Sequence, residues 1–155
     1  MTETSHSSAG HSNAGHSGVD HSGACHCGAV RFHVRLSAGL TTASRCNCSF
    51  CARRGAVALT APAGGMTLLS GADNLTLYQF GSHTAKHYFC ATCGIYTHHE
   101  RRFPEGELGI NAACLDGVSP FDFAQVVVHD GTAHPADTGG VERDAGVLRY
   151  QPFAD

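Results

Sequence analysis

Apolar and polar residues alternate along much of this chain. In segment 29–35, Val30, Phe32 and Val34 alternate with arginine and histidine residues. Because successive side chains of a strand point to opposite faces, this pattern predicts a half-buried β-strand. The remaining apolar segments between turn residues predict seven further strands, at 56–60, 66–69, 75–80, 86–89, 95–99, 108–112 and 125–129.

Helical periodicity is weak throughout the chain. No segment carries apolar residues at the spacing of an amphipathic helix, and only one helical turn is predicted, over 48–54 and ending at Gly55. The 19 glycines favour turns and strands over long helices. The continuous apolar run Val126–Val128 predicts a strand buried on both faces. We therefore predict a mainly β domain.

Composition divides the chain into three segments. Residues 1–22 repeat a His-Ser pair at five-residue intervals and lack apolar residues for a core, so they are predicted to be disordered. This leader is either a flexible segment without chemistry, which we favour, or a weak imidazole trap for metal. The folded domain is predicted at 23–133. Residues 134–155 are predicted to be a tail, docked through its large apolar residues Leu148, Tyr150 and Phe153.

The overall charge is weakly acidic. A net charge of −3 and a pI near 6.4 argue against general electrostatic attraction to nucleic acid or anionic membranes. No stretch approaches the ~20 apolar residues that a membrane span needs, and the first 20 residues lack the apolar run of a signal peptide. We therefore expect a cytoplasmic protein in a reducing compartment. The sequence contains no indication of the oligomeric state.

Seven of the eight cysteines fall into three short motifs. These motifs are Cys25-His26-Cys27, Cys46-Asn47-Cys48-Ser49-Phe50-Cys51 and Cys90-Ala91-Thr92-Cys93. Cysteines on one tight turn direct their sulfurs at a single ion, as tetrahedral Zn–S bonds of about 2.3 Å require. Neighbouring thiols on such a turn would form strained disulfides. We therefore predict metal binding, with zinc favoured over iron.

The seven clustered thiols divide into a set of four and a set of three. The pair Cys90 and Cys93 needs two further ligands, which either the first motif or the central motif can supply. We favour the union of the two outer motifs, which leaves Cys46, Cys48 and Cys51 as a separate set. Four ligands close a structural zinc site, whereas three leave the open position of a catalytic site.

Other side chains near the motifs are further candidates. Arg45, Arg53 and Arg54 flank the central motif, where they either offset the charge of the thiolates, bind a substrate carboxylate or remain solvated. Cys114 either completes the second set of thiols or, as we favour, is buried. Less specific candidates for a cleft beside the metals are His87, His98, His99, Asn111 and Asp116.

The order C-H-C-G, C-N-C-S-x-C and F-C-x-T-C-G resembles the glutathione-dependent formaldehyde-activating enzyme family. The segment Leu69–Thr76 and the tripeptide Cys114-Leu115-Asp116 are most similar to the branch that includes centromere protein V. The resemblance covers residues 23–131. It implies a β-tent of small antiparallel sheets built around zinc-binding cysteine knuckles.

The resemblance also implies a set of ligands and a reaction. Cys25, Cys27, Cys90 and Cys93 match the structural zinc ligands, and the three central cysteines match a second, catalytic-type zinc that a glutathione thiol approaches. The expected cofactor is therefore two Zn²⁺ per chain. The expected reaction is that of a carbon–sulfur lyase, which joins formaldehyde and glutathione reversibly into S-hydroxymethylglutathione.

Three functions follow from these patterns. The first is a zinc-dependent carbon–sulfur lyase that acts on an adduct of a small aldehyde with glutathione or another thiol, with Cys46, Cys48 and Cys51 at the reacting site and Arg53 and Arg54 binding the thiol ligand. The second is a non-catalytic, zinc-stabilised module that binds a protein or nucleic acid, although the acidic charge argues against nucleic acid. The third is a zinc reservoir or redox sensor.

Overall fold

A computed structural model describes residues 18–154 of the chain. Eleven strands lie within this part. They are β1 (Val19–Ala24), β2 (Arg31–Leu36), β3 (Ser44–Cys46), β4 (Ala58–Ala61), β5 (Met66–Ser70), β6 (Leu75–Tyr78), β7 (Lys86–Cys90), β8 (Tyr96–Glu100), β9 (Leu108–Asn111), β10 (Gln125–His129) and β11 (Asp144–Arg149). The single α-helix of the described residues is α1 (Ser49–Arg54). Short 3-10 helices lie at Gly39–Thr42, Ala72–Asn74, Ala112–Cys114, Pro120–Asp122, Gly131–Ala133 and Pro135–Asp137.

The strands form two sheets. A three-stranded sheet has the order β1-β2-β5, and an eight-stranded sheet has the order β11-β10-β3-β4-β9-β8-β7-β6. All pairs are antiparallel except β3 with β10, which is parallel. The prediction of a mainly β fold is confirmed, and α1 ends at Gly55 in the left-handed conformation.

The main core lies where β2 meets the centre of the larger sheet. Phe32 and Leu36 of β2 are fully buried, as are Leu59 of β4 and Ile110 of β9. The residues of β2 alternate strictly between exposed and buried, as the sequence pattern predicts. Each large apolar side chain buried in this way stabilises the fold by about 1.5–3 kcal/mol.

The structure differs from the sequence prediction at both ends of the domain. β1 begins at Val19, before the predicted boundary at residue 23, because its backbone pairs with β2 from Val19↔Leu36 onward whatever the polarity of its side chains. Residues 1–17 of the predicted leader lie outside the described part. At the other end, β11 extends the predicted tail into the larger sheet by pairing with β10.

The tail is attached through its backbone and not through the predicted apolar side chains. Leu148 and Tyr150 are 44% and 45% exposed, and Phe153 is fully exposed. Only Tyr150 has an aromatic neighbour, Phe121, at 5.2 Å between ring centroids. β11 is an exposed edge strand. Only Val126 of the apolar run in β10 is buried, so the prediction of a strand buried on both faces is wrong.

Within residues 18–154, no helix has the length and hydropathy needed to cross a membrane.

Candidate metal centres and the adjoining cavity

The two outer cysteine motifs meet in space. The sulfurs of Cys25, Cys27, Cys90 and Cys93 all lie within 4.8 Å of one another, and we call this group the four-thiol cluster. The first pair follows β1 and the second pair lies at the β7–β8 turn, so the cluster joins the two sheets.

Sulfur–sulfur distances in this cluster fit a tetrahedral metal. Cys27 Sγ lies 3.6 Å from Cys25 Sγ and 3.7 Å from Cys90 Sγ. Zn–S bonds of about 2.3 Å at tetrahedral angles separate two sulfurs by about 3.8 Å. The arrangement therefore fits a closed four-thiolate site.

Neutral hydrogen-bond donors surround these sulfurs. The Val30 amide donates to Cys25 Sγ at 3.3 Å, and the Asn74 side-chain amide donates to Cys90 Sγ at 3.1 Å. Backbone hydrogen bonds from Cys27 and Ile95 lower the pKa of Cys93 to about 6. Such donors favour the thiolate form, which is the form that binds a metal.

The central motif forms a second, separate group of sulfurs. Cys46 ends β3, Cys48 is the N-cap of α1 and Cys51 lies in its first turn, and their sulfurs are within 4.8 Å of one another. We call this group the three-thiol cluster. The Cys48 amide donates to Cys46 Sγ at 3.3 Å, and the Cys51 amide donates to Cys48 Sγ at 3.4 Å.

Hydrogen bonds among the three thiols shift their pKa values in opposite directions. Those from Cys46 and Cys51 hold the pKa of Cys48 far below its usual value, and their counterparts raise the pKa of Cys51. The three close thiols therefore share their protons, and the thiolate among them is the form that binds a metal.

The eighth cysteine is buried elsewhere. Cys114 is 5% exposed, belongs to the main core and donates a hydrogen bond to the Tyr96 carbonyl at 3.5 Å. Burial raises the pKa of its thiol to about 12. Among the described residues the three-thiol cluster thus gains no fourth thiol from Cys114, which agrees with the burial that we favour.

A cavity of about 270 Å³ opens beside the three-thiol cluster. All three of its cysteines line the cavity, whereas no cysteine of the four-thiol cluster does. The charged side chains of the wall are five arginines and three carboxylates: Arg45, Arg54, Arg101, Arg102, Arg143, Asp130, Asp137 and Glu142. The excess of arginine favours a ligand that carries carboxylates.

Arg54 is held against the three-thiol cluster by several contacts. It donates to Cys51 Sγ at 3.4 Å and to His87 Nδ1 at 3.2 Å, since a guanidinium only donates. Its guanidinium carbon lies 3.8 Å from the centroid of the Tyr96 ring, within the range of a cation–π contact. Arg54 is therefore positioned to offset thiolate charge.

Two histidines of the cavity are neutral at physiological pH. Burial, with Arg54 nearby, lowers the pKa of His87 to about 4. Burial also holds the pKa of His99 well below its usual value, and Tyr96 Oη lies 2.5 Å from its Nδ1. These rings supply hydrogen-bonding groups to the cavity without adding positive charge.

The remaining predicted candidates lie away from the cavity. Arg53 is exposed, donates to the Ser49 carbonyl of its own helix and does not line the cavity. His98 stacks on Tyr88 at 4.7 Å between ring centroids. Asn111 is buried and Asp116 is exposed, and neither lines the cavity.

Several cavity residues are missed by sequence reasoning. Examples are Phe80, Arg101, Arg102, Gly131 and Asp137. None of them lies in a cysteine motif, and their spacing along the chain carries no common pattern. Only the fold brings them to the three-thiol cluster.

Comparison with known proteins agrees with this geometry. Residues 20–128 match the family model described as "Glutathione-dependent formaldehyde-activating enzyme". A crystal structure of a protein from Rhodobacter sphaeroides is 58% identical, with a TM-score of 0.65, and the match covers 68% of this chain and 96% of that one. With its cysteine clusters and a family match over most of its length, this chain belongs to the glutathione-dependent formaldehyde-activating enzyme family.

Proposed function

We propose that this protein is a zinc-dependent carbon–sulfur lyase that acts on the adduct of a small aldehyde with a carboxylate-bearing thiol, such as S-hydroxymethylglutathione. The observation that carries the proposal is the arginine-rich cavity that opens onto Cys46, Cys48 and Cys51. A cavity next to a set of three ligands distinguishes an enzyme from a module whose metals serve only the fold.

The proposed cofactor is two Zn²⁺ per chain. The four-thiol cluster would hold a structural ion, and the three-thiol cluster would hold one with a position free for substrate. When bound there, zinc lowers the pKa of an incoming thiol and polarises a carbonyl oxygen. The cysteines of residues 18–154 are all free thiols, which supports the proposal of a reducing, cytoplasmic location.

The chemical step joins two molecules without oxidation. The thiol sulfur forms a bond to the aldehyde carbon, the carbonyl π electrons move to oxygen, and that oxygen takes up a proton equivalent to the one that the thiol lost. The reverse step breaks the same carbon–sulfur bond. No oxidant or reductant is needed.

The chain's own residues would bind and orient the thiol. Arg54 offsets the negative charge of the thiolates, because its guanidinium already contacts Cys51 Sγ. Arg45 and Arg143, which line the cavity, are then the better candidates to bind carboxylates. Arg53 lies outside the cavity, so the role expected for it passes to these residues.

The test is exchange NMR of ¹³C-formaldehyde with glutathione, using protein confirmed to hold two zinc ions per chain. We expect exchange faster than the uncatalysed background, and we expect Cys51→Ser to abolish the acceleration. Cys114→Ser is the matched control, since its thiol lies outside both clusters. Background exchange rates from the fully metallated protein would overturn the proposal.

A further inference from the structure

Residues 130–143 connect β10 to β11, and we call them the cover segment. Part of the cavity wall comes from this segment, including Gly131, His134, Asp137, Glu142 and Arg143. The family match ends at residue 128, so this part of the wall lies outside it. The cover segment is thus a feature of the cavity that the family match does not include.

The cover segment is attached to the central motif at its first end. The backbone N–H of Gly131 donates to the side-chain Oδ1 of Asn47 at 2.7 Å. The backbone N–H of Asn47 donates to the backbone carbonyl of His129 at 3.2 Å. A side chain at Gly131 would overlap Cys46 Sγ and Cys48 Cβ. The backbone of the cover segment therefore packs directly on the three-thiol cluster, and only glycine fits at this position.

A second attachment lies farther along the segment. Asp137 forms an ion pair with Arg102, whose side chain is 21% exposed. A Cβ at Gly140 would come within 3.3 Å of the Phe103 ring. The cover segment thus runs from the central motif to the loop after β8, along one wall of the cavity.

Internal hydrogen bonds shape the segment between these attachments. The Gly140 amide donates to the Pro135 carbonyl at 2.8 Å. The Thr138 hydroxyl contacts the carbonyls of His134 and Val141 at 3.2 and 3.1 Å. These bonds define the conformation of the segment even though many of its side chains are exposed.

We infer that the cover segment determines which thiols reach Cys46, Cys48 and Cys51, with the Arg102–Asp137 pair as the contact that keeps the wall in place. It admits slender thiols that carry carboxylates and excludes bulky ones. The identity of the natural thiol rests on the proposed function, but selection by size rests only on the wall.

The test measures access to single cysteines with two reagents that share one reactive group. The zinc-loaded full chain is treated with N-ethylmaleimide or with a polyethylene-glycol maleimide, and labelling rates at each cysteine are read by mass spectrometry. The ratio of the two rates at one thiol reports access alone, because metal binding slows both reactions equally. Exposed Cys27 gives the ratio for an unobstructed thiol.

We expect the bulky reagent to be disfavoured at the three-thiol cluster of the wild type. Asp137→Ala should relieve this. The rate with the polyethylene-glycol maleimide, divided by the rate with N-ethylmaleimide, should rise about three- to fivefold, the size expected for loss of a partly exposed ion pair. Arg102→Ala should give the same change. Asp20→Ala removes an exposed ion pair with Arg35 in the other sheet and should leave the ratio unchanged.

Unchanged ratios in both Asp137→Ala and Arg102→Ala would overturn the inference. So would a wild-type ratio at Cys51 equal to that at Cys27. Labelling of buried Cys90 or Cys114 identifies any variant that has unfolded. The result does not depend on turnover, so failure of the lyase proposal and failure of this inference are observed separately.

Discussion

The two cysteine clusters use the same ligand chemistry in opposite settings. The four-thiol cluster joins two sheets, includes two buried cysteines and borders no part of the cavity. The three-thiol cluster comes from one short segment, and all three of its cysteines face the cavity. The two clusters thus differ in ligand number and in the origin of their ligands, which is the difference expected between a site for folding and a site for chemistry.

The surrounding charges differ in the same way. Amide groups of Val30 and Asn74 donate to the four-thiol cluster. A full positive charge, Arg54, contacts the three-thiol cluster. Hydrogen bonds from neutral donors would suffice for the proposed structural ion, whereas a nearby cation would change the charge of the proposed reacting site.

The largest expected effect tests the structural role of the first cluster. Cys90→Ser removes a buried ligand from the set of four, and binding of a structural zinc contributes about 10 kcal/mol or more to folding. We expect loss of cooperative thermal unfolding, measured by circular dichroism. A variant that unfolds at the wild-type temperature would show that this cluster is not needed for the fold.

The corresponding change in the second cluster should leave the fold intact. Cys51→Ser removes a ligand from a set that lies within one segment and joins no sheets. We expect the bound zinc to fall from two ions to one per chain, measured by elemental analysis, with little change in melting temperature. Unfolding as complete as that of Cys90→Ser would contradict the contrast between the clusters.

Arg54 tests whether the nearby cation matters to the second cluster. Arg54→Met should weaken metal retention at the three-thiol cluster by about tenfold, because contacts around metal ligands contribute effects of that size. Arg54→Lys should restore it only in part, since lysine keeps the charge but not the planar hydrogen-bonding group. Competition with a chelator measures metal retention in both variants.

Arg53→Met is the matched control, because Arg53 is the exposed neighbour on the same helix. Equal metal retention in the Arg54 and Arg53 variants would show that the contact with Cys51 has no effect on the metal.

The last prediction concerns the acid sensitivity that a buried histidine gives to the core. Burial lowers the pKa of His98 in β8 to about 4, from an ordinary value of 6.5. Between these pH values the unfolded chain binds one proton more at His98 than the folded chain does. The contribution of His98 to the free energy of unfolding is therefore fully present above pH 6.5 and decreases as the pH falls to 4. The contribution is at most about 3 kcal/mol.

His98→Gln should therefore flatten the dependence of melting temperature on pH between 6.5 and 4. The exposed His33→Gln is the control. Identical slopes for wild type and His98→Gln would show that His98 does not contribute to the acid sensitivity of the fold.

Ligands that are neighbours along the chain are predictable, and ligands that meet across the fold are less so. The three-thiol cluster follows from the spacing of one motif, because a short turn brings its sulfurs together. For the four-thiol cluster, two pairings of motifs were open on spacing alone. The meeting of Cys25 and Cys27 with Cys90 and Cys93 agrees with the one we favoured.

Strand predictions succeeded where side chains determine the strand. The alternation in β2 and the bounds of β10 agree with the structure. β1, β3 and β11 were missed, because backbone pairing with neighbouring strands forms them and their own side chains are mostly polar or exposed. Such strands carry little apolar periodicity for a sequence pattern to detect.

The sequence by itself determined the mainly β fold, the three-thiol cluster and the family, because each depends on local spacing and residue type. Only the tertiary structure decided what surrounds the three-thiol cluster. The parallel pairing of β3 with β10 brings Gly131 to Asn47, 84 residues away along the chain. Contacts at that separation arise from the order of strands in a sheet, and no local pattern encodes it.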